Sequence, residues 1–233
     1  MKAYSRIISC LFAVVMVAGC ATTKVSNQQP LATGQIPRPN TIWVYDFAAT
    51  PADVPANSAL AGQTSATPQT AQQIAVGRQL GAKIAAELVQ QIQSMGMPAA
   101  QGGTGTAPQL NDIVIQGYLL SVQQGSAAER LVIGFGAGAS ELRTAVEGYQ
   151  ITPQGPRKLG SGTVDSGGSK GPGAALGVAG LIATGNPAGL IISTGMKVYG
   201  EESGKSTVEG RAQQTATEIA TKLKTRFQEQ GWI

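Results

Sequence analysis

Few residues of this 233-residue chain could carry chemistry. It has no histidine and two cysteines, Cys10 and Cys20. That removes Cys/His zinc sites and every catalytic triad with an imidazole base. The acids near expected strand ends are Asp46, Asp112, Glu129 and Asp165, and no spacing among them pairs two carboxylates for general acid–base work. Residues 199–207, YGEESGKST, nearly spell the phosphate loop G-x-x-x-x-G-K-[ST]. Tyr199 replaces its first glycine, and only 26 residues follow Thr207, one helix with no strand to bring a magnesium-holding acid. A helix entry closed by a Ser206–Glu209 capping box accounts for the same residues. More distinctive is RLVIGFGAGAS at 130–140, where Gly134, Gly136 and Gly138 alternate and bare one backbone face to a ligand, another backbone or a bend. A phosphate cradle needs glycines that lead into a helix N-terminus, whereas these lead into a strand. Arg130, Gly134, Phe135, Gly136 and Gly138 are therefore the candidate ligand or packing loop. Packing is the expectation; a small ligand, bound or converted beside Arg130, is the alternative.

Cys20 has a different chemistry. Lys2 and Arg6 precede an apolar run over residues 7–17, interrupted by Ser9 alone, the layout of an export signal, and the run is too short to span a bilayer core of roughly 30 Å. Val17-Ala18-Gly19-Cys20 follows it and resembles the bacterial lipobox, in which the cysteine is lipidated, the chain is cut before it and the new N-terminus is acylated. The expected organisation is a signal peptide over 1–19, a lipid anchor and flexible tether over 20–40, and a single domain over 41–233. Ala21 rather than Asp after the lipid site implies, by resemblance, the outer membrane, with the domain facing the periplasm. After cleavage 15 basic residues stand against 13 acidic ones, a net charge of about +2 with no Lys/Arg cluster, so nucleic acid is not an expected partner. No thiol remains for a disulfide, a metal or nucleophilic catalysis, and no cofactor is implied.

The elements that must position these residues follow from periodicity. Residues 41–47, TIWVYDF, are β-branched and aromatic and suit an interior strand. Residues 48–70 are rich in Pro, Ala, Ser and Thr, a long loop expected to be mobile or to face a partner. Over 72–95, Leu80, Ile84, Leu88, Ile92 and Met95 recur at helical steps beside a small-residue seam of Gly77, Gly81 and Ala85, with Gly96 as the stop. A linker over 99–110 precedes a strand over 112–122, with Gly117 as a candidate bulge. Residues 140–151 alternate as a half-exposed strand, Leu142, Thr144 and Val146 inward and Glu141, Arg143 and Glu147 outward. A turn at 153–156 leads to a weaker strand over 157–164. Residues 207–230 form a second amphipathic helix, with Val208, Ala212, Ala216, Ile219, Leu223 and Phe227 on one stripe. Between them, residues 171–196 are uncharged and broken at Gly185-Asn186-Pro187 but for the flanking lysines, which suits two short helices. Gly173, Gly177 and Gly180 share one face, and Gly185 and Gly189 repeat a small-x-x-x-small step, a glycine zipper for packing or membrane contact.

The lipobox, the I-x-V-x-D-F strand of Ile42 to Phe47 and the Arg-x-x-x-Gly-Phe-Gly-x-Gly run resemble the bacterial lipoproteins called domain of unknown function 4410. The resemblance implies an envelope location and a small α+β domain, and it implies no reaction. The expected fold is α+β: a small, mostly antiparallel sheet of about four strands, two long amphipathic helices on one face and the apolar hairpin insertion. The expected function is that of a non-enzymatic, lipid-anchored envelope protein. It would bind or assemble with other envelope proteins, or with itself through the Gly-rich hairpin.

Overall fold

The computed structural model describes residues 23–30, 34–58, 61, 69–123, 141–167, 191–192 and 208–233. In chain order they form β1 (Lys24–Pro30), β2 (Ile42–Tyr45), α1 (Ala71–Ser94), β3 (Ala99–Gly102), β4 (Ile113–Gln123), β5 (Glu141–Thr152), β6 (Gly155–Gly167), β7 (Ile191–Ile192) and α2 (Val208–Glu229). The fold class is α+β. Six strands run in the order β1-β6-β5-β4-β2-β3, and β7 pairs with β4.

The chain 42–102 is a β-α-β unit: β2 enters the sheet, α1 crosses over it, and β3 returns parallel to β2 with Ile42 opposite Ala99. Thr70 opens α1 by accepting from the Gln73 amide, while the Gln73 side chain accepts from the Thr70 amide. Gly96 ends it at φ +79°, a left-handed conformation natural to glycine. Leu80, Ile84, Leu88 and Ile92 are buried by α1 against Ile42, Val44, Ile113 and Ile115, and α2 adds Val208, Ala212, Ala216, Ile219 and Phe227 to the same core. The two helices therefore lie side by side on one face of the sheet. No helix among the described residues is long and apolar enough to cross a membrane.

Several expectations need correction. The sheet is larger than four strands and mixed: β4–β5, β5–β6 and β6–β1 are antiparallel, whereas β2–β3, β2–β4 and β4–β7 are parallel. A helical crossover between β2 and β3 requires the parallel pairing. The extra strands come from stretches that looked like linkers. Lys24–Pro30, inside the expected tether, is an edge strand with Val25 opposite Val164, and Ala99–Gly102 is the edge strand at the other end. Edge strands need little apolar content because one side is solvated. Gly117 is no bulge: it sits opposite Val146, and the register shifts at Leu119/Ser121 instead. Ile191 and Ile192, placed in the expected hairpin, pair as a strand with Ser121 and Val122. The hairpin glycines Gly173, Gly177, Gly180, Gly185 and Gly189 lie outside the described residues, as does Ser206.

One end of the sheet is pinned by a carboxylate. Asp112 is buried and accepts from the Thr41 amide (3.1 Å), the Trp43 indole (2.9 Å) and the Gln109 amide (2.8 Å), so that the starts of β2 and β4 share one acceptor. Asp112→Ala should cost about 2–4 kcal/mol in urea unfolding, since three donors would lose a charged partner. A loss below about 1 kcal/mol would mean that water replaces the carboxylate.

Candidate functional site

The strongest concentration of polar chemistry lies on the sheet face away from the helices. It centres on Glu147, a residue the alternation of β5 assigned to solvent. Its carboxyl is buried at 2% exposure. Oε2 accepts from the Ser58 hydroxyl (2.9 Å), the Tyr118 hydroxyl (3.0 Å) and the Tyr149 hydroxyl (3.0 Å), and Oε1 accepts from Lys158 Nζ (2.6 Å).

Four elements bring these groups together. Tyr118 lies on β4, Glu147 and Tyr149 two residues apart on one face of β5, and Lys158 on β6. Ser58 comes from the loop after β2, which was expected to be mobile or to face a partner. Its beginning instead continues the sheet edge, since Ala48 bridges to Tyr118, and Val54 then packs against Ala48, Tyr118 and Ala145. A short 3-10 turn at Pro51–Asp53 steers it, and Asp53 holds Arg78 of α1 at 2.7 Å. The signal for this cover was present in β5: Ala145 and Tyr149 flank Glu147 on its own face, which makes that half of the strand apolar.

Burial alone would push the Glu147 carboxyl up, but the Lys158, Ser58 and Tyr149 donors outweigh it and hold the group below its ordinary range. Burial pushes the Tyr118 phenol far up, against a hydrogen bond from Ser58, and the negative charge of Glu147 adds to the rise. Burial and the same charge raise Tyr149. The cluster is thus one carboxylate with neutral phenol donors and one ammonium. An ionised carboxylate offers about four acceptor positions; three donors converge on Oε2 and Lys158 holds Oε1. Such a group cannot accept a proton from a substrate without first breaking a bond to the loop or the sheet, so the arrangement latches residues 50–58 onto the sheet.

The other acids singled out by sequence are not brought together. Asp46 accepts from Gln101 at the surface, Asp165 pairs with Arg143, and Asp112 pins β2 to β4. Glu129 lies outside the described residues, with Arg130, Gly134, Phe135, Gly136, Gly138 and Cys20. Among the described residues no group of three acids could hold a metal ion.

On the helix side a cleft of about 220 Å³ opens between β1, β5 and β6 and the C-terminal half of α2. Its walls include Val25, Leu159, Leu223 and Phe227, and the exposed Lys222 and Arg226 stand beside it. The C-terminal residues close one side against residues 34–36. Gln230 accepts from the Ile36 amide (2.7 Å) and donates to the Gly34 carbonyl (3.1 Å), while the Trp232 indole donates to the Ile36 carbonyl (3.3 Å). Sequence reasoning missed this cleft because β1 was read as tether.

No curated protein matches the chain. Among solved structures it is similar to the PelC dodecamer from Paraburkholderia phytofirmans, at 11% identity and a TM-score of 0.37, covering 72% of this chain and 93% of that one. A single-substitution variant of the same dodecamer matches at 15% identity and a TM-score of 0.35, covering 72% and 92%. Residues 42–185, from the first residue of β2 to beyond β6, match the family described as Domain of unknown function (DUF4410). The chain belongs to that family.

Proposed function

We propose that this protein is a lipid-anchored component of a bacterial envelope, held at Cys20 in the inner leaflet of the outer membrane, whose periplasmic α+β domain binds or assembles with other envelope proteins and catalyses no reaction. The observation that supports the non-enzymatic part is the use made of the two buried carboxylates of the described residues: Glu147 holds a loop to the sheet and Asp112 ties β2 to β4. Sequence supports the anchor. Geometry supports a short one, because β1 begins at Lys24, and four residues extend at most about 14 Å. An edge of the sheet would then stand close to the lipid surface.

Two measurements test this reading. Cys20→Ser should abolish incorporation of labelled fatty acid and release the protein from the outer-membrane fraction; equal labelling of the variant, or a wild-type protein found wholly in the inner membrane, would refute the anchor. Crosslinking in intact envelopes should capture a defined partner or a second copy with the wild-type protein and not with the unanchored variant.

A further inference from the structure

The glycines of this fold divide into two kinds. A Cβ at Gly81 would lie 2.0 Å from the Phe47 carbonyl oxygen, one at Gly117 would lie 2.2 Å from the Phe47 ring, and one at Gly102 would lie 2.8 Å from the Tyr45 ring. Those three are required by packing. Gly148 and Gly162 sit in the middle of β5 and β6, and there a Cβ would meet nothing within 4 Å at the first and nothing nearer than 3.8 Å at the second. Neither has a left-handed φ. Glycine inside a strand weakens it and marks a bulge, a bend or the approach of a ligand or another backbone; the β5–β6 register shifts at Gly148/Tyr149, whereas Gly162 sits in unshifted pairing opposite Val146. Both residues line the same cleft, beneath Leu223 and Phe227 of α2.

From this we infer that the cleft is a binding site for a single-chain fatty carboxylate, its alkyl chain lying along the bare backbone of Gly148 and Gly162 and its head group beside Lys222. The walls are apolar. The volume of about 220 Å³ exceeds that of the roughly 150 Å³ cavity that takes benzene. Charge complementarity selects the head group. Arg226 is already paired with Glu229 at 2.6 Å, while Lys222 is exposed and has no ion pair among the described residues. This inference is independent of where the protein resides and of the anchor at Cys20.

The test is calorimetric titration of the full chain carrying Cys20→Ser, which leaves no attached acyl chain to compete, with Trp232 emission as a second readout. Decanoate should bind saturably below its micelle concentration, and octanoate about tenfold more weakly, since each buried methylene is worth roughly fourfold. Gly148→Val fills the floor and should reduce decanoate affinity at least tenfold while leaving the melting temperature unchanged or raised. Gly162→Ala is the second variant, with a smaller loss of binding, should Gly148→Val fail to fold. Lys222→Ala should weaken decanoate about threefold and leave decanol unaffected. Absence of saturable decanoate binding, or full binding by a folded Gly148→Val or Gly162→Ala protein, would overturn the inference. Equal affinity for decanoate and decyltrimethylammonium would overturn the assignment of the head group. A concentration-dependent dimer that Gly148→Val abolishes, without decanoate binding, would assign the cleft to a second copy of the chain and overturn the fatty carboxylate.

Discussion

Gly81→Ala is expected to lower stability by about 2–3 kcal/mol, although glycine-to-alanine inside a helix is ordinarily stabilising by about 1 kcal/mol. The reversal comes from one contact. The new methyl carbon would lie 2.0 Å from the Phe47 carbonyl oxygen and 3.0 Å from its carbonyl carbon, both backbone atoms that no rotamer change can move. Either α1 lifts from the end of β2, or Phe47 shifts and breaks the 3.3 Å hydrogen bond from its amide to the Gly81 carbonyl. Phe47 cannot yield easily, since its ring fills the space that Gly117 leaves on β4 and the next residue, Ala48, exchanges backbone hydrogen bonds with Gly117 and Leu119. For a chain of this size the loss corresponds to a fall in melting temperature of about 4–12 °C. Gly103→Ala is the control, because a Cβ there meets nothing within 4 Å. A Gly81→Ala protein as stable as the control, or more stable, would mean that α1 does not pack on the end of β2 at this distance.

That contact also shows what was legible beforehand. The seam of Gly77, Gly81 and Ala85 beside Leu80, Ile84 and Leu88 is a pattern of side chains on one helix, and such patterns survive in sequence because helix and buried strand alike repeat locally. β2, α1, β4, β5, β6 and α2 were found for that reason. β1 and β3 were not. KVSNQQP and AAQG carry no alternation because edge strands are held by backbone pairing, which any residue can supply, proline through its carbonyl alone. The cluster at Glu147 was hidden for a related reason: alternation assigns a residue to a face but does not say what covers that face. The cover here is a Pro- and Ala-rich loop whose contacts, Ser58 to Glu147 and Val54 to Tyr118, cross from one end of the chain's core to the other. The cleft inherited both errors, since it needs β1 as a wall and needs Gly148 and Gly162 to be recognised as empty space.

Lys158→Met is expected to be among the most damaging substitutions on the second face of the sheet, and to change how the protein responds to acid. Removing one partner of a buried ion pair costs about 3–5 kcal/mol. With Lys158 about one-fifth exposed and its Glu147 partner 3% exposed, about 2–4 kcal/mol is expected after allowing for solvent around the ammonium. In the wild type, Glu147 titrates below its ordinary value of 4.5. The unfolded chain therefore takes up its proton first as pH falls. The carboxylate's contribution is fully present above pH 4.5 and is lost as pH drops through the lower folded value, with a slope of up to about 1.4 kcal/mol per pH unit between the two. Glu147→Gln removes that group and should flatten the acid limb of stability against pH, at the cost of its bonds to Ser58, Tyr118 and Tyr149. Lys158→Met removes the first of the groups that oppose burial, so the folded carboxyl moves up towards or past its unfolded value, and the variant, though less stable at neutral pH, should lose less stability than the wild type as pH falls. The double variant leaves no buried charge and should be more stable than Lys158→Met alone, by about 1–3 kcal/mol in a double-mutant cycle. Urea unfolding at several pH values between 3 and 7 reads all four proteins. A Lys158→Met protein within about 0.5 kcal/mol of wild type, with the same acid limb, would mean that Glu147 is not closed under the loop and that the second face of the sheet is open to water.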